Sequence, residues 1–194
     1  MKKLFNDGWT FLLTEYGTGY EEIKDKKESF KKVDIPHDWM IEDTFDLYRD
    51  GTGWYRKSFS CGEVKKLFFV FDGIYMDRIV YINGVEAGGW KNGYSQFVLD
   101  ATEYVRAGEN EIVVGVRCRY PSARWYTGAG IYRNVWICER EDVYIPENGV
   151  YVHSRKAEGG YILEIETEVC GVADDIGIGY VLTDRVCADR KSVV

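Results

Sequence analysis

One short stretch narrows the choice of fold more than any other. Asn83-Gly84 stands between Arg78-Ile79-Val80-Tyr81-Ile82 and Val85-Glu86-Ala87-Gly88. A two-residue type I′ turn needs positive φ at both central positions, which asparagine and glycine tolerate. An antiparallel hairpin is therefore predicted, and similar units recur on both sides of it. Trp54 to Phe59 alternates as a strand, and Leu67-Phe68-Phe69-Val70-Phe71 is an apolar run of buried-strand length, broken by Asp72-Gly73. After a loop over Gly89 to Tyr94, Gln96 to Leu99 reads as a further strand. Arg106 to Asn110 turns the chain into Glu111–Cys118, where Ile112, Val114 and Val116 share one face and Val113 lies on the other. Strands at short intervals between turns are the pattern of an antiparallel sandwich. With 15 Tyr, 6 Trp and 21 Gly against 3 Pro, the composition also favours strands.

The flanking segments are less regular. Thr10 to Leu13 reads as a short strand. Tyr16 to Lys32 is charged and lacks a sustained helical period, and Glu28 to Val33 reads as an edge strand whose lysines discourage further pairing. Pro36 fixes its own φ and biases Ile35 towards an extended conformation. His37-Asp38-Trp39 then has two readings: a brace at a corner of the sandwich, which the residues favour, or a presentation of Asp38 to a ligand hydroxyl. Met40 to Gly53 is an acidic loop carrying Glu42 and Asp43. Asp100 is placed to cap one helical turn over Ala101 to Val105. Arg124 to Trp136 joins a cation, aromatics and closely spaced glycines, and enters a strand predicted over Tyr132 to Ile137. Aromatic faces beside hydrogen-bonding groups suit a sugar, whose rings have apolar faces and polar edges. Buried aromatics of an ordinary β-core are the other reading. Beyond a charged joint at Glu139-Arg140-Glu141-Asp142, strand-like runs cover Val143–Ile145, Gly149–His153, Tyr161–Val169 and Ile176–Leu182. Partial alternation in Tyr161–Val169 predicts one buried and one solvated face.

At 194 residues the chain is one large or two small domains. A net charge of −7 argues against nucleic acid and anionic membrane surfaces as partners, and neutral sugars do not respond to it. The first residues lack the apolar run of a signal peptide and no stretch is long and apolar enough to span a bilayer, so a cytoplasmic protein is expected. Five scattered cysteines and two histidines predict free thiols and no structural metal site. No phosphate-binding loop or dinucleotide fingerprint appears, so no cofactor is expected. The acidic residues cannot be paired by spacing, and no catalytic residue is nominated.

Arg124-Trp125-Tyr126-x-Gly128-Ala129-Gly130-Ile131-Tyr132-Arg133-x-Val135-Trp136 resembles a signature of the amino-terminal sugar-binding domain of glycoside hydrolase family 2, nearest to its bacterial β-galactosidases. Phe5-Asn6-Asp7-Gly8-Trp9, Ile35-Pro36-His37-Asp38-Trp39, Gly53-Trp54-Tyr55-Arg56-Lys57-Ser58-Phe59, Phe71-Asp72-Gly73, Val80-Tyr81-Ile82-Asn83-Gly84 and Gly93-Tyr94-Ser95-Gln96-Phe97 follow the family's order, from Leu4 to Arg140. The resemblance implies an all-β chain: a galactose-binding-like jelly-roll β-sandwich over residues 1–140, then an incomplete immunoglobulin-like β-sandwich over 141–194. An immunoglobulin-like domain needs about 100 residues and seven strands, more than remain. It implies a retaining glycosidase acting on terminal β-galactosides, whose two catalytic glutamates lie on a barrel carboxy-terminal to these domains. Such a barrel takes about 250 residues. Arg124 then reaches towards the sugar, Trp125 stacks on it or walls the pocket, and Asp43 and Asp38 are further candidate contacts. An arginine donates hydrogen bonds and accepts none, so the hydroxyl it meets must accept. The partners implied are a carbohydrate and the parent's own barrel, with homo-oligomerisation left open. Two other readings stand: a stand-alone carbohydrate-binding module, or a β-glucuronidase or β-mannosidase parent. A purely structural domain is a third.

Overall fold

The computed structural model describes residues 1–47, 49–63, 65–120 and 128–182. Among these residues the strands are β1 (Lys2–Leu4), β2 (Trp9–Thr14), β3 (Lys31–Val33), β4 (Gly51–Cys61), β5 (Lys66–Phe71) and β6 (Arg78–Ile82). They continue with β7 (Val85–Trp90), β8 (Phe97–Asp100), β9 (Gly108–Cys118), β10 (Val135–Arg140), β11 (Val150–Ala157) and β12 (Gly160–Thr167). One sheet runs β1-β10-β5-β8 and a larger one β3-β2-β4-β9-β6-β7; among the described residues β11 and β12 pair only with each other. All these ladders are antiparallel.

The two larger sheets face each other as a β-sandwich. Phe69, Phe71, Leu99 and Val135 from one meet Phe11, Tyr55, Val80, Ile112, Val114 and Val116 from the other in one buried cluster. The β9 alternation holds: Val113 points to the opposite face and packs with Trp54 and Ile23. The Asn83-Gly84 turn closes β6 onto β7 with φ of 51° and 83°. Strand β3 is an outer edge, as its lysines suggested.

Several expectations shift in detail. Tyr16–Lys32 contains one α-helical turn, α1 (Tyr20–Ile23), and a 3₁₀ turn at Lys27–Ser29, both too short for any period to register, and the second shortens the edge strand expected over Glu28 to Val33. Helix α1 lies over the outer face of the larger sheet, where Tyr20 stacks on Tyr81 with ring centroids 4.2 Å apart and Ile23 is fully buried. The expected turn after Asp100 is present as a single turn: Asp100 Oδ1 caps it by accepting the Thr102 N–H at 3.0 Å, and Ala101 O accepts the Tyr104 and Val105 N–H groups at 3.0 and 3.2 Å. Strand β7 extends to Trp90, because Arg78 and Trp90 still pair beyond a bulge at Val80–Tyr81. Strand β10 starts at Val135 rather than Tyr132, because the backbone before it is bonded elsewhere, as described below.

Carboxy-terminal to β10, only Tyr144 of Val143–Ile145 pairs, bridging to Cys170. Ile176–Leu182 forms no strand among the described residues. The expectation of a buried face on Tyr161–Val169 is corrected: Tyr161, Ile162 and Leu163 are all exposed. A two-stranded ribbon has no second layer against which to bury a face.

Candidate functional site

Two segments distant in sequence meet at one rim of the sandwich. One is 36–40, after β3; the other is 128–131, before β10. The His37 N–H donates to Ile131 O at 2.8 Å and the Trp39 N–H to Ala129 O at 3.1 Å. Asp38 Oδ1 accepts the Ala129 N–H at 2.9 Å and the Met40 N–H at 3.0 Å. From the other side, Tyr75 and Gly130 exchange both backbone hydrogen bonds, at 2.9 and 2.7 Å. Gly130 has φ 126°. A Cβ there would lie 2.5 Å from the His37 carbonyl oxygen and against the Tyr55 hydroxyl. Only glycine lets these three strands of chain close in. Residues 129–131 thus spend their hydrogen bonds here, which delays the start of β10.

Tyr55 supports the rim from beneath. Its hydroxyl lies 2.7 Å from His37 Nδ1 and accepts the Ile131 N–H at 3.4 Å. Burial lowers the His37 pKa, and the charges of Glu42 and Asp38 pull it partly back. The unfolded chain takes up this proton near pH 6.5 and the folded chain only at lower pH. Between those values the unfolded state holds more protons, so stability rises with pH through that window and falls as pH drops. Thermal melts at about pH 5 and pH 7 should therefore show a smaller difference in His37→Gln than in the parent protein. Equal differences would contradict the account.

Trp39 anchors the following loop. Its indole N–H donates to Arg49 O at 3.0 Å, and its ring stacks on Phe11 with centroids 5.6 Å apart. Between these fixed ends the 41–47 loop is exposed, and Phe45 is 99 % accessible. Asp43 is used within that loop: its Oδ1 accepts the Phe45 N–H at 2.9 Å, and Asp46 pairs with Arg49 at 3.4 Å.

Of the residues singled out from sequence, Asp38 is brought directly onto the 128–131 segment and Asp43 sits on the neighbouring exposed loop. Arg124 and Trp125 lie outside the described residues. The part played by Tyr55 was not foreseen. The available signal was a tyrosine at an inward position of an alternating strand, since a buried phenol needs a hydrogen-bond partner.

Residues 18–141, which include both segments of the rim, match the family described as glycosyl hydrolases family 2, sugar binding domain. The chain belongs to glycoside hydrolase family 2. It is 35 % identical over 188 residues to a β-galactosidase of Bacteroides ovatus, covering 88 % of this chain and 22 % of that one. It is 33 % identical over 184 residues to a putative β-glucuronidase of Formosa agariphila, covering 86 % of this chain and 18 % of that one. The solved structure of a β-glycosidase from Bacteroides vulgatus superposes with a TM-score of 0.72 at 33 % identity, over 87 % of this chain and 24 % of that one. This family 2 chain therefore spans about a fifth of the length of the curated relatives it matches.

Proposed function

We propose that the chain is the amino-terminal, non-catalytic portion of a retaining β-galactosidase-like enzyme acting on terminal β-D-galactosides. The observation that carries this reading is the match to the family's sugar-binding domain in a chain about a fifth as long as its relatives. Glycoside hydrolysis needs two carboxyl groups flanking the scissile bond at a fixed separation. Asp38 and Asp43 are instead engaged in holding backbone N–H groups, so the reacting acids are assigned to a downstream barrel. The sandwich braces that barrel. The segment 121–127, flanked by the end of β9 and by the 128–131 clasp, supplies Arg124 and Trp125 to the sugar pocket, with Asp43 on the neighbouring loop. Residues from 141 onwards begin a second, immunoglobulin-like unit, in keeping with an exposed β11–β12 ribbon that needs further strands to bury its apolar side chains.

The test is hydrolysis of a chromogenic β-galactoside by this chain alone and by the chain joined to the rest of its reading frame. The longer polypeptide turns the substrate over and the chain alone does not. Turnover by the purified chain alone would overturn the assignment. A second reading, a β-glucuronide-cleaving parent, is favoured by the name of the Formosa relative. Faster hydrolysis of the β-glucuronide than of the β-galactoside by the longer polypeptide would select it.

A further inference from the structure

The register of the smaller sheet brings three polar residues together at one end. Phe71 at the end of β5 pairs with Phe97 at the start of β8 and with Val135 at the start of β10. The residues just outside these pairs, Asp72, Gln96 and Asn134, therefore stand side by side. They line an open cleft of about 400 Å³ together with Tyr94, Tyr132, Arg133 and Pro36, through which it adjoins the rim, a size within the range of small-ligand sites.

The cleft is braced from behind. Asp72 accepts the Gln96 amide at 3.1 Å and the Trp136 indole N–H at 2.8 Å. Asn148 holds the Gln96 oxygen at 2.8 Å, and Asn6 holds the Asn134 oxygen at 2.9 Å. Tyr94 is 53 % exposed, yet its loop is fixed. Asn92 Oδ1 accepts the N–H groups of Tyr94 and Ser95 at 2.8 and 3.2 Å. The buried Arg78 guanidinium donates to the Asn92 carbonyl, and the Tyr132 hydroxyl donates to Gly93 O at 2.9 Å. The Tyr94 ring rests edge-on against Tyr75, with centroids 5.5 Å apart.

Hydrogen-bonding capacity remains. A carboxylate has about four acceptor positions and two of those on Asp72 are used. The Asn134 amide nitrogen and the Arg133 guanidinium make no hydrogen bond to the described residues. Acceptors beside donors, next to an exposed aromatic face, match vicinal hydroxyls on a ring with an apolar C–H face. The Asp72 carboxylate and the Arg133 guanidinium together leave the cleft without net charge, which favours a neutral ligand over an anion, and one acid is too few for a metal ion. We propose that this cleft binds a neutral pyranose. The site shares no residue with Asp38, Asp43, Arg124 or Trp125 and does not depend on the enzymatic reading.

The experiment is titration of this chain with galactose, glucose and glucuronate, followed by the NMR signal of the Trp136 indole N–H. Galactose or glucose should shift that signal saturably, with a Kd on the order of 1 mM. Tyr94→Ala and Arg133→Ala, which alter exposed side chains and should keep the native spectrum, should each weaken binding about tenfold. Glucuronate should bind more weakly than the neutral sugars. The proposal is overturned by absence of saturation up to roughly 50 mM of either neutral sugar, by affinity unchanged in both variants, or by tighter binding of glucuronate.

Discussion

Trp39→Ala should lower the free energy of unfolding by about 3–5 kcal/mol, the range for truncating a large buried aromatic. The side chain is fully buried, and its loss removes three things together. The stacking on Phe11 disappears. The Arg49 carbonyl loses its indole donor, so the loop between them loses its far anchor. A cavity also opens beside Gly53, whose absent side chain is the space the indole ring fills: a Cβ there would fall 2.5 Å from the Trp39 ring. Trp39→Phe keeps part of the packing without the N–H and should cost less. Urea denaturation of this chain measures both. At a typical slope of about 1–3 kcal/mol per molar urea, the alanine variant should lower the midpoint by roughly 1 M or more. A loss below about 1 kcal/mol would show that the corner is not held by Trp39.

How much of this was legible in the sequence depended on whether a pattern was local. The Asn83-Gly84 turn carries its own conformational requirement, and the alternation of Ile112, Val114 and Val116 against Val113 carries its own facing. Both could be read without knowing any neighbour. The edge position of β3 was legible for the same reason, since its lysines are a local device. Long-range hydrogen bonds were not legible. Nothing near Tyr132 announces that Ala129, Gly130 and Ile131 will bond to residues 37, 39 and 75, so the strand was expected three residues too early. The sequence left Asp38 with two roles, and the structure displays the bracing one, through its bonds to the N–H groups of Met40 and Ala129. The His37–Tyr55 contact joins residues on different elements and had no sequence signature of its own. The β11–β12 ribbon failed in another way. Alternation in Tyr161–Val169 describes a strand suited to a two-layer arrangement, and the described residues supply only one layer.

The second large effect concerns Arg124 in the polypeptide that carries both this chain and its downstream barrel. The proposed role is a hydrogen bond from the guanidinium to a hydroxyl of the bound sugar. Hydrogen bonds that involve a charged group contribute about 1.5–3 kcal/mol, equivalent to roughly 10- to 150-fold in kcat/KM. The fold is expected to survive the change, because contacts among the described residues Asp38, Gly130, Tyr55, Tyr75 and Ile131 already fix the flanking chain. The most direct measurement is kcat/KM for a β-galactoside and the thermal midpoint, both taken on Arg124→Ala in that longer polypeptide. The expected result is a drop of about tenfold or more in kcat/KM with a melting temperature unchanged to within about 2 °C. An unchanged kcat/KM, or a loss that only follows a collapse in melting temperature, would contradict a sandwich that lends this loop to a sugar pocket completed by another domain.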